Sequence, residues 1–307
     1  MTWKAARLPF GAWFYLPRRA LNLVRLSERP AGSWRPVQVS IALTARCGKG
    51  CEFCYADSTP AGTTAWTLEN LLAVVDSCDR NGVFAVTFGG GEPLLWRDPC
   101  AGVDFYDLLR ESSRFGCDIS FTTSALPAVN WMRVPATVLP RLSLHHPDEL
   151  PHILREIRRA HDQWQGVPAV NVLVRRGETR SILQVAEELE KSGVRDVLLL
   201  PLVAAGRAIG SDLVPGDEEL NELVESFPIP GVKLSACRYL EDHDDAYLGC
   251  GAGDWFVSLD EQGRLRSCSF CPEKMPLENV DYRHIVEALP DLPRLPCHTR
   301  ITVDPRD

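Results

Sequence analysis

From residue 37 onward, the chain alternates short runs rich in β-branched residues with amphipathic helical segments. This alternation is typical of parallel βαβ units, because parallel strands need a long crossover connection that a helix normally supplies. Six such units predict an α/β fold, either a partial (β/α)6 barrel of the TIM type with an open side or a doubly wound sheet. The expected strands are residues 37–43, 84–88, 118–122, 141–145, 169–174 and 196–200, and the expected helices are residues 67–80, 105–115, 149–164, 180–191 and 217–226.

The segments before and after this pattern differ from it in composition. Residues 1–36 hold seven Lys or Arg against one acidic residue, interleaved with six aromatic residues. They predict a basic aromatic arm that either packs across the main domain or faces an acidic peptide or a membrane surface. After about residue 228 the helical pattern ends, and Pro, Gly, Cys and Asp become frequent, which predicts a small irregular C-terminal domain. The expected domains are residues 1–36, 37–227 and 228–307.

Composition argues against several classes of protein. Of the 307 residues, 45% are apolar, which is enough for a full core, and the net charge of −8 disfavours a nucleic-acid partner because phosphate binding depends on Lys and Arg. No run approaches the roughly 18 apolar residues of a membrane span, and no signal-peptide cleavage site follows the N-terminal apolar run. We therefore expect a soluble, cytoplasmic protein whose eleven cysteines serve metal binding rather than disulfides.

The sharpest motif is a CxxxCxxC loop directly after the first expected strand. Its thiols, Cys47, Cys51 and Cys54, are one ligand short of a structural zinc site, but they can bind three irons of a [4Fe-4S] cluster and leave the fourth iron open. A second motif, Gly89-Gly-Gly-Glu-Pro93, directly follows the second strand. The carboxyl ends of parallel strands meet at one barrel mouth, so the two motifs are expected to lie together. A zinc site completed by a distant residue is the alternative.

Together these motifs resemble the radical S-adenosylmethionine (SAM) superfamily. The resemblance implies that the amino and carboxylate groups of the methionine moiety chelate the open iron, with Gly90, Gly91 and Glu92 binding the amino group. It also implies that an external one-electron donor, such as flavodoxin or ferredoxin, drives reductive cleavage of SAM to methionine and a 5′-deoxyadenosyl radical. Further residues in matching positions are implied to contact the cofactor, although each could equally satisfy the local backbone or solvent: Phe53, Thr123, Ser143, Asn171 and Arg207.

The C-terminal cysteines form a second pattern. Twelve residues separate Cys250 from Gly263, and four more separate Gly263 from Cys268, which resembles the opening of the SPASM and twitch domains. The resemblance implies one auxiliary [4Fe-4S] cluster, held by Cys250, Cys268, Cys271 and Cys297, with Cys237 as a competing ligand. The segment 255–266 is predicted to form a β-hairpin that turns at Gly263. A zinc ribbon built from the same four cysteines is the alternative, since spacing does not specify the metal.

These patterns lead to an expected function. We expect a radical SAM oxidoreductase that oxidatively modifies a ribosomally made peptide, by cross-linking or another maturation step. The alternatives are a radical SAM dehydrogenase or oxidase of a small molecule in natural-product biosynthesis, and a non-catalytic iron–sulfur or zinc binding module. His145 shares a strand face with Ser143 at the barrel mouth, where it either contacts substrate or is a satisfied core histidine.

Overall fold

The computed structural model describes residues 35–124, 128–225, 232–234 and 251–295, together with the backbone of three N-terminal strands. Those strands are β1 (Lys4–Leu8), β2 (Gly11–Leu16) and β3 (Leu21–Leu26). They form a three-stranded antiparallel sheet of their own. The sequence pattern did not predict these strands, because residues 11–16 form a nearly continuous apolar run rather than the alternation that marks a half-buried strand.

A larger sheet forms the barrel. Its first six strands are β4 (Gln38–Thr44), β5 (Ala85–Gly90), β6 (Asp118–Thr123), β7 (Leu139–Leu144), β8 (Ala169–Val174) and β9 (Val197–Pro201). Each pairs in parallel with the next, and their spatial order follows the chain. A doubly wound sheet would reverse its strand order at a switch point, so this order confirms the partial barrel. The helices that follow the strands are α1 (Leu68–Arg80), α2 (Phe105–Ser112), α3 (Leu150–Trp164), α4 (Thr179–Lys191) and α5 (Asp217–Glu225).

Side chains alternate between the two faces of these strands. On β4, Val39, Ile41 and Leu43 are fully buried and belong to one hydrophobic core with apolar residues of the helices. On the opposite face, the Thr87 and Ser120 hydroxyl oxygens lie 2.7 Å apart and join β5 to β6. Because successive side chains of a strand point to opposite faces, the helix side of the barrel is apolar and its inner side carries small polar residues.

The C-terminal region extends the barrel sheet at both edges. At one edge, β10 (Val232–Leu234) pairs in parallel with β9. At the other, β11 (Phe256–Leu259) pairs in parallel with β4 and returns as β12 (Leu265–Arg266). The turn of this hairpin contains Gly263 at φ +78°, which confirms the hairpin predicted from sequence. Within the described residues this sheet has nine strands, and β12 alone among them is antiparallel to its neighbour.

The segment 251–295 also shares the hydrophobic core of the barrel. Leu259 of β11 is fully buried in the core that contains Val39 and Leu43. The Trp66 indole N–H donates to Ala42 O at 3.1 Å and to Asp260 O at 2.9 Å, so one side chain links β4 to the hairpin. The expected boundary between residues 227 and 228 lies outside the described residues and stays a prediction. No helix in the described ranges is long and apolar enough to cross a membrane.

Candidate functional site

The cysteine loop leaves the carboxyl end of β4. Cys47, Cys51 and Cys54 are half-buried and are not joined by a disulfide. The Cys47 N–H donates to Thr59 O at 2.9 Å, and the Cys54 N–H donates to Cys51 O at 3.3 Å. Burial raises the pKa of the Cys51 thiol; Lys49 opposes this shift, and the neighbouring thiols Cys54 and Cys47 add to it. The thiols of Cys47 and Cys54 therefore lie close enough to Cys51 to affect its ionisation.

The glycine motif lies directly against the start of this loop. The Gly91 N–H donates to Thr44 O at 2.7 Å, and the Glu92 N–H donates to Arg46 O at 2.8 Å. A Cβ added to Gly90, which has φ +109°, would lie 2.8 Å from Thr44 O, and one added to Gly91 would lie 2.4 Å from Arg46 O. Glycine is thus required at both positions by the approach of the chain itself. The expectation that the two motifs meet is confirmed.

Glu92 is almost completely buried and connects the end of β5 to the end of β6. Its Oε1 accepts hydrogen bonds from the Thr123 hydroxyl at 2.6 Å and from the Leu94 N–H at 3.3 Å. Its Oε2 accepts from the Ser124 hydroxyl at 2.8 Å and the Ser124 N–H at 3.1 Å. Burial raises the pKa of the carboxyl, although all four hydrogen bonds lower it. Four donors match the usual capacity of a carboxylate, so the main contacts of Glu92 are with the strand ends.

Arg207 fastens the loop after β9 to the cysteine loop. Its Nε donates to Cys51 O at 2.9 Å, and both terminal nitrogens donate to Ser58 O at 3.2 Å. Its backbone N–H donates to Cys54 O at 3.1 Å. The preceding Gly206, at φ +55°, has no room for a Cβ, which would lie 2.5 Å from Cys54 O. The guanidinium of Arg207 is therefore directed at the backbone that presents the thiols.

An aromatic and ionic group borders the cysteine loop at the ends of β7 and β8. The His145 Nδ1 lies 3.6 Å from Cys51 Sγ, and its ring meets the Phe53 ring edge to face at 5.7 Å between centroids. The Arg175 guanidinium lies over the Phe53 ring, with 5.8 Å from its central carbon to the ring centroid. Burial, reinforced by the nearby Lys49 charge, lowers the pKa of His145 to about 4, so the ring is neutral at pH 7. Sequence reasoning placed His145 at the mouth but gave no sign of its thiol contact, which arises from tertiary packing.

The predicted polar residues of the inner wall lie side by side. Ser143 of β7 pairs in register with Asn171 of β8, and both are largely buried. The Asn171 Oδ1 accepts from Arg141 at 3.2 Å, and Arg141 forms an ion pair with Asp196. A polar network therefore runs along this wall, while Thr123 instead points to Glu92.

Two of the four predicted auxiliary ligands lie in the described residues. Cys268 and Cys271 are buried in a small apolar cluster, and the Cys271 N–H donates to Cys268 O at 3.2 Å. Phe270, between them, packs edge to face on Tyr55, which directly follows Cys54, at 5.1 Å between ring centroids. The remaining cysteines of this pattern lie outside the described residues: Cys237, Cys250 and Cys297.

Comparison with known proteins gives the family. The family model described as "Radical SAM superfamily" matches residues 41–206, which is more than half of the chain and includes both the cysteine loop and the glycine motif. The chain belongs to the radical SAM superfamily. Membership implies a [4Fe-4S] cluster and SAM as cofactors.

Solved structures share the radical SAM barrel with this chain. SuiB of Streptococcus suis bound to S-adenosylmethionine superposes with a TM-score of 0.66 at 13% identity, covering 83% of this chain and 65% of that chain. SuiB bound to its precursor peptide SuiA gives 0.64 at 15% identity, covering 84% and 65%. The tagged anSMEcpe with bound AdoMet gives 0.56 at 15% identity, covering 83% and 77%. At these identities the likeness shows the fold alone.

A curated relative matches a shorter stretch. A protein described as "Probable GTP 3′,8-cyclase", from Methanocella arvoryzae, is 34% identical over 84 residues. The match covers 27% of this radical SAM chain and 25% of that protein. The chain therefore matches about a quarter of this relative and spans just under two thirds of SuiB.

The donor set at the mouth of the barrel fits the family's cluster. Three thiols project from one loop, and the glycine motif lies against the start of that loop with no room for a Cβ at Gly90 or Gly91. Among the described residues, no three Cys, His, Asp or Glu side chains converge where a single metal ion could sit. A four-iron cluster does not require such convergence, since each thiolate binds a different iron.

Proposed function

We propose that Cys47, Cys51 and Cys54 bind the [4Fe-4S] cluster of a radical SAM oxidoreductase that oxidatively modifies a ribosomally made peptide. The observation that carries the proposal is the direct backbone contact between the cysteine loop and Gly91-Glu92 at the barrel mouth. Bound there, the cluster would supply the electron that cleaves SAM to methionine and a 5′-deoxyadenosyl radical. An external one-electron donor such as flavodoxin or ferredoxin would provide that electron.

The surrounding residues would bind and orient the cofactor. Phe53, directly before Cys54, offers an apolar ring, and Gly90 lets the end of β5 lie against the backbone at the end of β4. Ser143 and Asn171 offer polar groups on the inner wall next to it. Glu92 fixes the end of β6 through Thr123, and Arg207 holds the cysteine loop. We propose Glu92 and Arg207 as residues that shape the cofactor site through the backbone, in addition to any contact with the ligand itself.

Three observations support a peptide as the substrate. The fold is shared with SuiB in a complex with its precursor peptide, and the barrel remains a partial one that a long substrate could enter. The basic N-terminal arm adds a charge that suits an acidic leader. A small-molecule substrate is the second candidate, favoured by the 34% identity over 84 residues to the protein described as "Probable GTP 3′,8-cyclase".

We further propose an auxiliary [4Fe-4S] cluster held by Cys268, Cys271, Cys250 and Cys297. The turn from Cys268 to Cys271 supports it, since two buried thiols are presented by one short hydrogen-bonded turn. Arg266 stabilises this turn by donating from Nε to Cys271 O at 2.7 Å. An auxiliary cluster near the substrate could accept an electron from the substrate radical and make the reaction oxidative.

The experiment that tests the assignment compares three proteins after anaerobic reconstitution with iron and sulfide. We expect the wild type to hold about 8 iron atoms per chain and to form 5′-deoxyadenosine from SAM under dithionite. The triple variant Cys47→Ala, Cys51→Ala, Cys54→Ala should hold about 4 iron atoms and form none. Cys100→Ala, which removes an exposed cysteine, is the matched control and should behave as the wild type.

The outcomes separate the parts of the proposal. Undiminished 5′-deoxyadenosine formation by the triple variant would show that these thiols do not bind the catalytic cluster. If the triple variant contains zinc and no iron, the C-terminal site is a zinc ribbon. The substrate class is then tested by incubating the wild type with short peptides encoded beside it and searching by mass spectrometry for loss of a hydrogen pair.

A further inference from the structure

His145 follows the end of β7 and is held beside the cysteine loop on several sides. Its Nδ1 lies 3.6 Å from Cys51 Sγ, within hydrogen-bond distance for sulfur. The Phe53 ring contacts one edge of the imidazole, and the His145 backbone N–H donates to Glu149 Oε2 at 2.8 Å. Glu149 in turn forms an ion pair with Lys49 at 2.7 Å, so the loop and the histidine are tied together at two points.

The direction of the hydrogen bond follows from the chemistry of the thiol. A cysteine that ligates iron is a thiolate, which carries no proton and can only accept. The imidazole must then carry its proton on Nδ1 and donate it toward sulfur. Hydrogen bonds to ligand sulfurs are one of the factors that set the reduction potential of iron–sulfur clusters. Such hydrogen bonds favour the reduced cluster, because it carries more negative charge than the oxidised cluster.

We propose that His145 is a positioning residue that donates its Nδ1–H to the Cys51 thiolate and thereby raises the reduction potential of the SAM-binding cluster. The inference rests on the proposed function, in which Cys51 is a cluster ligand. It gives the histidine a role distinct from substrate contact. The consequence is that the external one-electron donor can reduce the cluster at a less negative potential than the loop alone would allow.

The test is an EPR-monitored redox titration of the reconstituted full chain without SAM. His145→Phe keeps a ring against Phe53 and removes the donor, whereas His145→Asn places an amide N–H close to the position of Nδ1. His146→Phe is the matched control, because the imidazole of His146 interacts with Asp148 and Glu178 instead. We expect His145→Phe to lower the ratio of reduced to oxidised SAM-binding cluster about tenfold at a fixed potential. This corresponds to a reduction potential about 59 mV more negative for a one-electron step. His145→Asn should recover most of this loss, and His146→Phe should match the wild type.

A second measurement does not depend on any variant. In wild-type protein labelled with ¹⁵N-histidine, pulsed EPR of the reduced cluster should show coupling to one histidine nitrogen. Absence of this coupling, or a His145→Phe potential equal to that of the wild type, would overturn the inference. So would a loss that His145→Asn fails to recover. If the wild type binds no cluster at the three thiols, it is the proposed function that fails, and iron analysis of the wild type distinguishes the two failures.

Discussion

At the scale of single residues, the site at the barrel mouth depends on a close backbone contact between the loop after β9 and the cysteine loop. Gly206 lets the loop after β9 approach the cysteine loop so closely that an added Cβ would lie 2.5 Å from both Cys54 O and Tyr55 O. That approach lets the next residue, Arg207, reach Cys51 O and Ser58 O. A short Gly-Arg pair therefore fixes the backbone of the loop that carries the thiols.

Replacing Gly206 by Ala should disrupt this contact. Gly210 offers a matched control, because it also has a positive φ, +74°, but has no atom within 4 Å of an added Cβ. In both variants the free energy of unfolding should fall by about 1–2 kcal/mol, because alanine is strained in the left-handed conformation. Only Gly206→Ala should in addition retain less iron after reconstitution and desalting. Equal iron contents for the two variants would contradict this account.

At the scale of elements, α1 depends on a carboxylate from a later loop. Asp98 Oδ2 accepts from the Leu68 N–H at the first residue of α1, and Oδ1 accepts from the N–H groups of Cys100 and Ala101 at 2.6 and 2.7 Å. The N-cap Thr67 satisfies another of the four backbone donors that a helix leaves without partners at its start. Asp98 therefore joins the segment after the glycine motif to the first helix of the barrel.

Asp98→Asn should destabilise the fold in a pH-dependent way. Burial raises the pKa of the Asp98 carboxyl, but hydrogen bonds from Leu68, Ala101 and Cys100 outweigh it and bring the pKa below its ordinary value of 3.8. A carboxyl with a lowered pKa in the folded state stabilises above its unfolded pKa and loses that contribution as pH falls through the folded value. We expect Asp98→Asn to lower the free energy of unfolding by about 1.5–3 kcal/mol at pH 7. This difference from the wild type should become smaller below pH 3.8.

Urea unfolding at several pH values measures this difference. The control is Asp76→Asn, which removes an exposed carboxylate paired with Arg80 on the same helix. Such a surface pair contributes about 0.3–0.5 kcal/mol, so the control should change little. If the loss of unfolding free energy in Asp98→Asn stays constant down to pH 2, the stabilisation does not come from an ionised Asp98 carboxylate at the start of α1.

At the scale of the whole molecule, the described C-terminal residues and the barrel share one core. The helix α6 (Tyr282–Ala288) docks on α1, where the Tyr282 N–H donates to Ser77 Oγ at 3.0 Å. The Tyr282 hydroxyl donates to Pro36 O at 2.8 Å, just before β4. Ile285 is fully buried in the same hydrophobic core as β4. These contacts predict that both parts unfold together.

Ile285→Ala tests that expectation. Truncating a fully buried Ile should cost about 2–5 kcal/mol, and a shared core should spread this loss to the barrel. Hydrogen exchange followed by mass spectrometry should then show reduced protection in β6 as well as β11. Val286→Ala, on a half-buried position of the same helix, should cost much less. Loss of protection confined to residues 251–295 would instead favour a separate C-terminal domain.

Local patterns predicted most elements of this molecule but few of its long-range contacts. The six barrel strands and the helices α1 to α5 were expected from alternation and helical periodicity, and all are present. Their ends agree to within two residues, except that α2 ends three residues earlier, at Ser112. The pairing of β11 with β4 was not predicted, because strand partners distant in the chain leave no local signal. For the same reason, the sequence identified Arg207 and His145 as candidates but not the atoms they contact.

The pairing of β11 with β4 also affects how the chain is made. Phe256 pairs with Gln38, so roughly 220 residues are synthesised between the two strands. At a synthesis rate of about 5–20 residues per second, the edge of β4 stays without β11 for about 10 to 40 s while the ribosome makes the intervening residues. An unpaired strand edge is a template for pairing with other chains, so nascent chains are exposed to aggregation during this interval. Slower initiation, which spaces neighbouring nascent chains further apart, should therefore raise the yield of soluble protein.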